Sequence, residues 1–302
     1  MAKKTTSGRV RIQVFGGPWS LIKVELVDRY LHFFNTALKN RPFERVYIDA
    51  FAGSGAFRYV INAPKNTLFG ARDETKDIHD GSAIRALRAA PPFNKILFIE
   101  NNKRNAASLR ELIKQSGHPD ATVIPGDAND TLMRYCRPRD WKTRRGVIFL
   151  DPFGMNVKWS TLEAIAKTQA LDVWLLFPLG ATIRNLPRNA RALDSSKRDA
   201  LTRLFGDDEW FDEFYRPASR PSRTLFRLEP GPPLVRRTAE VNDVEAYMKR
   251  KLEEIFAHVE SPKRLKGPKN QSLFSLFFAM SNPSPAAVNL ARRVAAHILS
   301  GM

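Results

Sequence analysis

Cysteine is nearly absent: Cys136 is the only one among 302 residues, which excludes an intramolecular disulfide and any multi-cysteine metal site. Histidine is scarce as well. His32, His79, His118, His258 and His297 are scattered without ligand spacing, so a metal-dependent chemistry is not expected. No stretch approaches the roughly 20 apolar residues that cross a bilayer. The basic, polar start from Met1 to Arg11 has no apolar run behind it, so no secretory leader or membrane attachment is expected. These absences together give the expectation of a cytoplasmic protein. They leave its oligomeric state open.

Acid is also in deficit. Lys and Arg number 49 against 31 Asp and Glu, a formal net charge of +18. Such a surplus repels itself in the compact state, and a polyanion relieves it. Nucleic acid, RNA or DNA, is the expected partner, because each phosphate contact also releases counterions. A basic surface kept for solubility is the alternative. With 43% hydrophobic residues the chain builds a substantial core, and its length suits one α/β unit with an appended part.

Residues 1–15 read as a flexible basic arm. Trp19 to Leu38 places Ile22, Leu26, Val27, Tyr30, Leu31, Phe34 and Leu38 at helical spacing. Val46 to Ala50, Lys95 to Glu100 (KILFIE), Ala121 to Ile124, Gly146 to Leu150 (GVIFL) and Leu171 to Phe177 (LDVWLLF) read as buried strands. Helices are expected between them at Ser82 to Ala89, Arg104 to Gln115, Thr131 to Tyr135 and Thr161 to Thr168. Apolar strands alternating with helices imply a mostly parallel sheet covered on both faces. Phe57 to Asp80 reads as an inserted loop. The core is assigned to 16–180 and 270–302, with strand character at Leu273 to Met280 and a last helix from Pro285 to Leu299. Between them, 181–269 is rich in arginine and proline and reads as an inserted basic subdomain, the candidate for substrate recognition. Its acids, such as Asp207, Asp208, Asp212 and Glu213, equally suit a solvated face.

Asp49-Ala50-Phe51-Ala52-Gly53-Ser54-Gly55 follows the first predicted strand directly. Gly53 and Gly55 permit a tight reversal that brings backbone close to a ligand, at the strand ends where open α/β sheets bind one. A nicotinamide fingerprint needs a third glycine, where Arg58 stands, and an acid after the glycines rather than before them. The order found here resembles motif I of S-adenosylmethionine (SAM) methyltransferases, and Phe-Ala-Gly-Ser-Gly resembles amino-methyltransferases of nucleic acids. That resemblance implies SAM as cofactor. It puts Glu100, with Asn101 after it, at the ribose hydroxyls, and Asp127, with Ala128 after it, near the adenine amine. Taken alone, each is an ordinary polar strand end.

Asp151-Pro152-Phe153-Gly154 caps the fourth strand, where such enzymes carry motif IV. An exocyclic amine is a poor nucleophile, and acceptors at its N–H bonds favour its reaction. Asp151 and the Pro152 carbonyl fit that demand, Phe153 fits stacking on a base, and Gly154 leaves room. A rigid turn with Phe153 buried is the alternative. The tetrapeptide departs from the D-P-P-Y of adenine and cytosine amino-methyltransferases and resembles the D-P-F-G of tRNA N2-guanosine dimethyltransferases. Trp159 reads as a core residue or a stacking surface. Cys136 lacks the context of a C5-cytosine nucleophile.

Together with Gly17-Pro18-Trp19-Ser20-Leu21-Ile22-Lys23, Tyr47-Ile48 before Asp49, and Phe278-Ala279-Met280-Ser281-Asn282-Pro283, these motifs resemble the three-Cys-motif partner proteins (TcmP). The resemblance implies a Rossmann-like class I methyltransferase fold, and a partner protein with a three-cysteine motif of the iron–sulfur type. It also implies a role for Trp19 and Lys23 in closing the cofactor pocket; a packed tryptophan and solvated lysine at a helix start is the other reading. Two functions follow as expectations. One is SAM-dependent methylation of an exocyclic amine in RNA or DNA. The other is a non-catalytic module of the same fold that binds nucleic acid and works with the three-cysteine protein.

Overall fold

The computed structural model describes residues 12–14, 17–58, 60–61, 74–75, 79–137, 141–217 and 234–300. Along the chain, β1 (Ile12–Val14) precedes α1 (Pro18–Leu38) and β2 (Glu44–Asp49). Short strands follow: β3 (Ala56–Arg58), β4 (Val60–Ile61), β5 (Glu74–Thr75) and β6 (His79–Asp80). The alternating part runs α2 (Ser82–Leu87), β7 (Lys95–Glu100), α3 (Lys103–Ser116), β8 (Ala121–Pro125), α4 (Ala128–Cys136), β9 (Arg144–Leu150), α5 (Trp159–Ala166) and β10 (Leu171–Phe177). Next come α6 (Leu179–Asn185), α7 (Ser195–Phe205), α8 (Glu209–Phe214), β11 (Tyr215–Pro217), β12 (Val235–Arg237) and α9 (Val241–Ile255). The chain closes with β13 (His258–Val259), β14 (Lys263–Lys266), β15 (Ser272–Met280) and α10 (Pro285–Ser300).

The central sheet has the order β13-β15-β10-β9-β2-β7-β8, with β14 also on β15. From β10 to β8 every pairing is parallel, whereas β15 runs antiparallel to β10. Strand order reverses between β2 and β9, the switch point where such sheets open a crevice at their carboxyl ends. This is the Rossmann-like class I methyltransferase fold that the motifs imply.

Alternation along each strand builds two cores. Ile48, Ile99, Ile148, Leu150, Val173 and Leu175 face α4 and α5, while Tyr47, Phe98, Val147, Phe149, Trp174 and Leu176 face α1, α2, α3 and α10. The predicted insert is not a satellite. Leu201, Phe205, Trp210, Phe214, Tyr247 and Met248 join the first core directly, and β13 and β14, inside the 181–269 boundary, are strands of the central sheet. Much of its arginine-rich middle, 218–233, lies outside the described residues.

Two further expectations are modified. Of the arm 1–15, residues 12–14 form a strand that pairs in parallel with β3 just after the glycine turn; residues 1–11 and 15 lie outside the described residues. The expected loop 57–80 contains paired short strands, β3 with β6 and β4 with β5. Among the described residues no helix is long and apolar enough to cross a membrane.

Candidate functional site

Asp49 and Asp151 end neighbouring parallel strands, Asp49 lying in register with Phe149, so both acids reach the same rim of the sheet. The turn after β2 is fastened on two sides: Ala50 N–H donates to the Phe149 carbonyl at 3.1 Å and Ala52 N–H to that of Ile99 at 3.2 Å. Gly53 and Gly55 take positive φ of 62° and 89°, which side-chain-bearing residues rarely adopt. Gly81 approaches so closely that a Cβ there would lie 2.5 Å from the Gly55 oxygen. Backbone is thus packed on backbone beneath the turn, and α2 starts against it.

Asp49 lies under this turn rather than in a cavity wall. It is fully buried, accepts from Ser82 Oγ at 2.5 Å and Tyr47 OH at 3.4 Å, and its Oδ1 has no hydrogen-bond partner. Burial pushes its carboxyl up to about 7, with the Ser82 hydrogen bond opposing and the Asp151 charge adding to the rise. Ser54 is also buried, its Oγ donating to the Ala56 carbonyl at 3.1 Å.

Two cavities open at this rim. One, of about 370 Å³, is walled by Trp19, Lys23, Gly53, Gly55, Ser82 and Asp151 among others. The second, of about 390 Å³, is walled by Glu100, Asn101, Asp127, Ala128, Asn156 and Arg203 among others. Phe51 and Phe153 line both, so the two hollows flank one pair of rings. Each volume suits part of a small-molecule ligand.

The predicted residues divide between these cavities with some changes of role. Glu100 already holds backbone, taking the Gly53 N–H on Oε2 at 2.8 Å and the Asn102 N–H on Oε1 at 2.6 Å. A carboxylate keeps further lone pairs beyond those two. Asp127 is exposed and caps α4, accepting from Asp130 N–H at 3.0 Å. Lys23, buried on α1, forms an ion pair with Asp151 Oδ2; it is not the solvated lysine of the alternative reading. Pro152 is buried and Phe153 is 67% exposed, which removes the reading of Phe153 as a buried turn residue. Trp159 is a core residue, with Lys251 lying 5.3 Å from its ring centroid.

Several participants were not legible in advance. Ser82 contacts both Asp49 and the first cavity; its signal was a helix start after glycine. Leu273 and Phe274 of β15 complete the first cavity. Arg203 of α7 reaches the second from the insert. Asn129 is buried, donates to the Asn156 carbonyl at 2.9 Å and accepts from Lys158 N–H and Thr161 Oγ at 2.9 Å each. It pins the loop that follows Gly154. Among the described residues no group of three or more His, Cys, Asp or Glu is placed to hold a metal.

No protein-family model matches the chain, and no curated protein matches it. Solved structures do. Protein LPL1258 from Legionella pneumophila str. Philadelphia 1 superposes with a TM-score of 0.49 at 13% identity, over 94% of this chain and 93% of that one. The N-terminal domain of EvdMO1, crystallised with SAH and D-fucose, gives 0.38 at 11% identity over 84% and 81%. WbdD gives 0.42 at 13% identity over 92% of this chain and 45% of its own. Every one of these scores lies below 0.5.

Proposed function

We propose that this chain transfers a methyl group from SAM to an exocyclic amine of a base in RNA or DNA. The observation that carries this reading is the pair of cavities meeting at Phe51 and Phe153, with Asp151 on one side and Glu100 and Asp127 on the other. The donor set fits the cofactor: carboxylates for a ribose and an adenine amine in one hollow, a cation and hydroxyls for an amino-acid end in the other. When bound, SAM supplies an electrophilic methyl carbon on a sulfonium.

The chain's own residues then have defined tasks. Glu100 holds the Gly53 turn and offers its remaining lone pairs to ribose hydroxyls. Exposed Phe153 stacks on a base taken out of its helix. Asp151 Oδ1 and the Pro152 carbonyl would accept the amine N–H bonds, dispersing charge as nitrogen bonds to the methyl carbon and the carbon–sulfur bond breaks, and Asp151 would then take the surplus amine proton. Lys23 pairs with Asp151 Oδ2 and fixes the orientation of that carboxylate. The +18 charge draws the polyanion to the protein.

Titration calorimetry with SAM and its demethylated product tests cofactor binding; heat from neither overturns the reading. Incubation with labelled SAM and total cellular RNA, DNA and protein then identifies the acceptor. Asp151→Ala is expected to keep SAM binding and lose methyl transfer by on the order of 10² or more.

A second reading is supported by the same ion pair: with Asp151 already engaged by Lys23, the chain serves as a nucleic-acid-binding partner of a three-cysteine-motif protein. Full activity of Asp151→Ala in cells, with no methylated product, would favour it.

A further inference from the structure

The opposite rim of the sheet carries a cleft of about 810 Å³, more than twice either cavity at the candidate site. Among the described residues its walls include Arg137, Lys142, Arg145 and Lys167 against one carboxylate, Glu163. Two helix ends point there, with Arg137 and Lys167 as the C-cap residues of α4 and α5. Each helix end contributes about half a negative charge. Among the described residues, Glu163 and the two helix ends set about two negative charges against Arg137, Arg145 and Lys167, with Lys142 engaged by a partner of its own. Arg137 and Lys167 have no carboxylate partner among the described residues.

Arg145 is held in place on three sides. Its guanidinium lies 4.3 Å from the Phe43 ring centroid, and Nη1 donates to the carbonyls of Trp141 at 3.0 Å and Arg144 at 2.6 Å. Gln169, in the same wall, sits at φ 52°. A left-handed position just after a helix is where glycine is most stable. A glutamine there costs stability relative to glycine. Among the described residues the one aromatic in the cleft wall, Trp141, is buried, so the chemistry there suits phosphates and sugars rather than a stacked base.

We propose that this cleft, at the amino-terminal ends of β9 and β10, binds the sugar–phosphate backbone of the nucleic-acid substrate. The proposal rests on the reading that the substrate is nucleic acid. It adds that the substrate is long enough to contact both rims, which the seven residues of β9 separate by about 20 Å.

The test uses the full chain with labelled 30-nucleotide RNA and DNA, measuring affinity across a salt series. Arg137→Ala/Lys167→Ala is expected to reduce the slope of log affinity against log salt by about 1.5 to 2 and to weaken binding at least tenfold. SAM binding stays unchanged. The charge-matched control Arg110→Ala/Lys114→Ala, on the exposed face of α3, is expected to keep the wild-type slope. Gln169→Gly is expected to melt at higher temperature yet bind more weakly. An unchanged slope in Arg137→Ala/Lys167→Ala, or an equal loss in the control, overturns the second contact and leaves the methyltransferase reading standing. Wild-type protein that binds neither oligonucleotide overturns both.

Discussion

Asp172 shows how one carboxyl couples this fold to pH. It lies on β10, accepts from Tyr30 OH at 2.7 Å, and burial pushes it up to about 7 from an ordinary value of 3.8, against the lowering effects of Tyr30 and Arg145. Asp49 is raised similarly by burial. A raised carboxyl binds more protons folded than unfolded between those two values, so stability falls as pH rises from about 4 to about 7 and then levels. Asp172→Asn removes its share of that fall. Between pH 5 and pH 8 the melting temperature of the variant is expected to drop less than that of wild type; equal drops would show that Asp172 is not the titrating group. At this scale, contiguous motifs were legible: Asp49 to Gly55 and Asp151 to Gly154 each follow a strand. What could not be read was pairing across the fold. Ser82 on Asp49, Asn129 on the 156–161 loop and Arg203 at the second cavity depend on distant segments meeting.

Among the elements, strands were the most legible because KILFIE, GVIFL and LDVWLLF are apolar runs that only a twice-covered sheet can bury. The strand character of β15 was also visible, but its antiparallel direction was not, since side-chain pattern carries no direction. Helices α7 and α8 were hidden by interleaved charge, although Asp194, which accepts from Lys197 N–H at 2.9 Å, and Gly206 bracket α7 as start and stop signals. Gly206 is the tighter constraint. Its φ is 98°, and a Cβ would lie 2.3 Å from Trp159 Cδ1. Gly206→Ala combines left-handed strain with overpacking against that ring, an expected loss of about 2–4 kcal/mol measurable as a lower urea midpoint. A neutral result would mean that α7 repositions freely on α5.

For the whole molecule, the proposed cofactor binding is expected to be linked to folding, because the Gly53 turn, Glu100 and Asp151 take their places only in the folded chain. SAM at 100 times its dissociation constant is expected to add about 2.7 kcal/mol of stability, visible as a rise in melting temperature that a nicotinamide dinucleotide does not produce. No rise with SAM would remove the cofactor from the proposal.

Lys23 and Asp151 stand 128 positions apart, and Lys23 belongs to a helix that precedes every strand of the central sheet. A fragment starting at Glu44 would hold every strand of the central sheet in its sequence but lose the helix that covers Tyr47, Trp174 and Phe278 and that gives Asp151 its ammonium partner. The candidate site is therefore complete only where α1 is docked, which ties it to the packing of one whole face of the sheet.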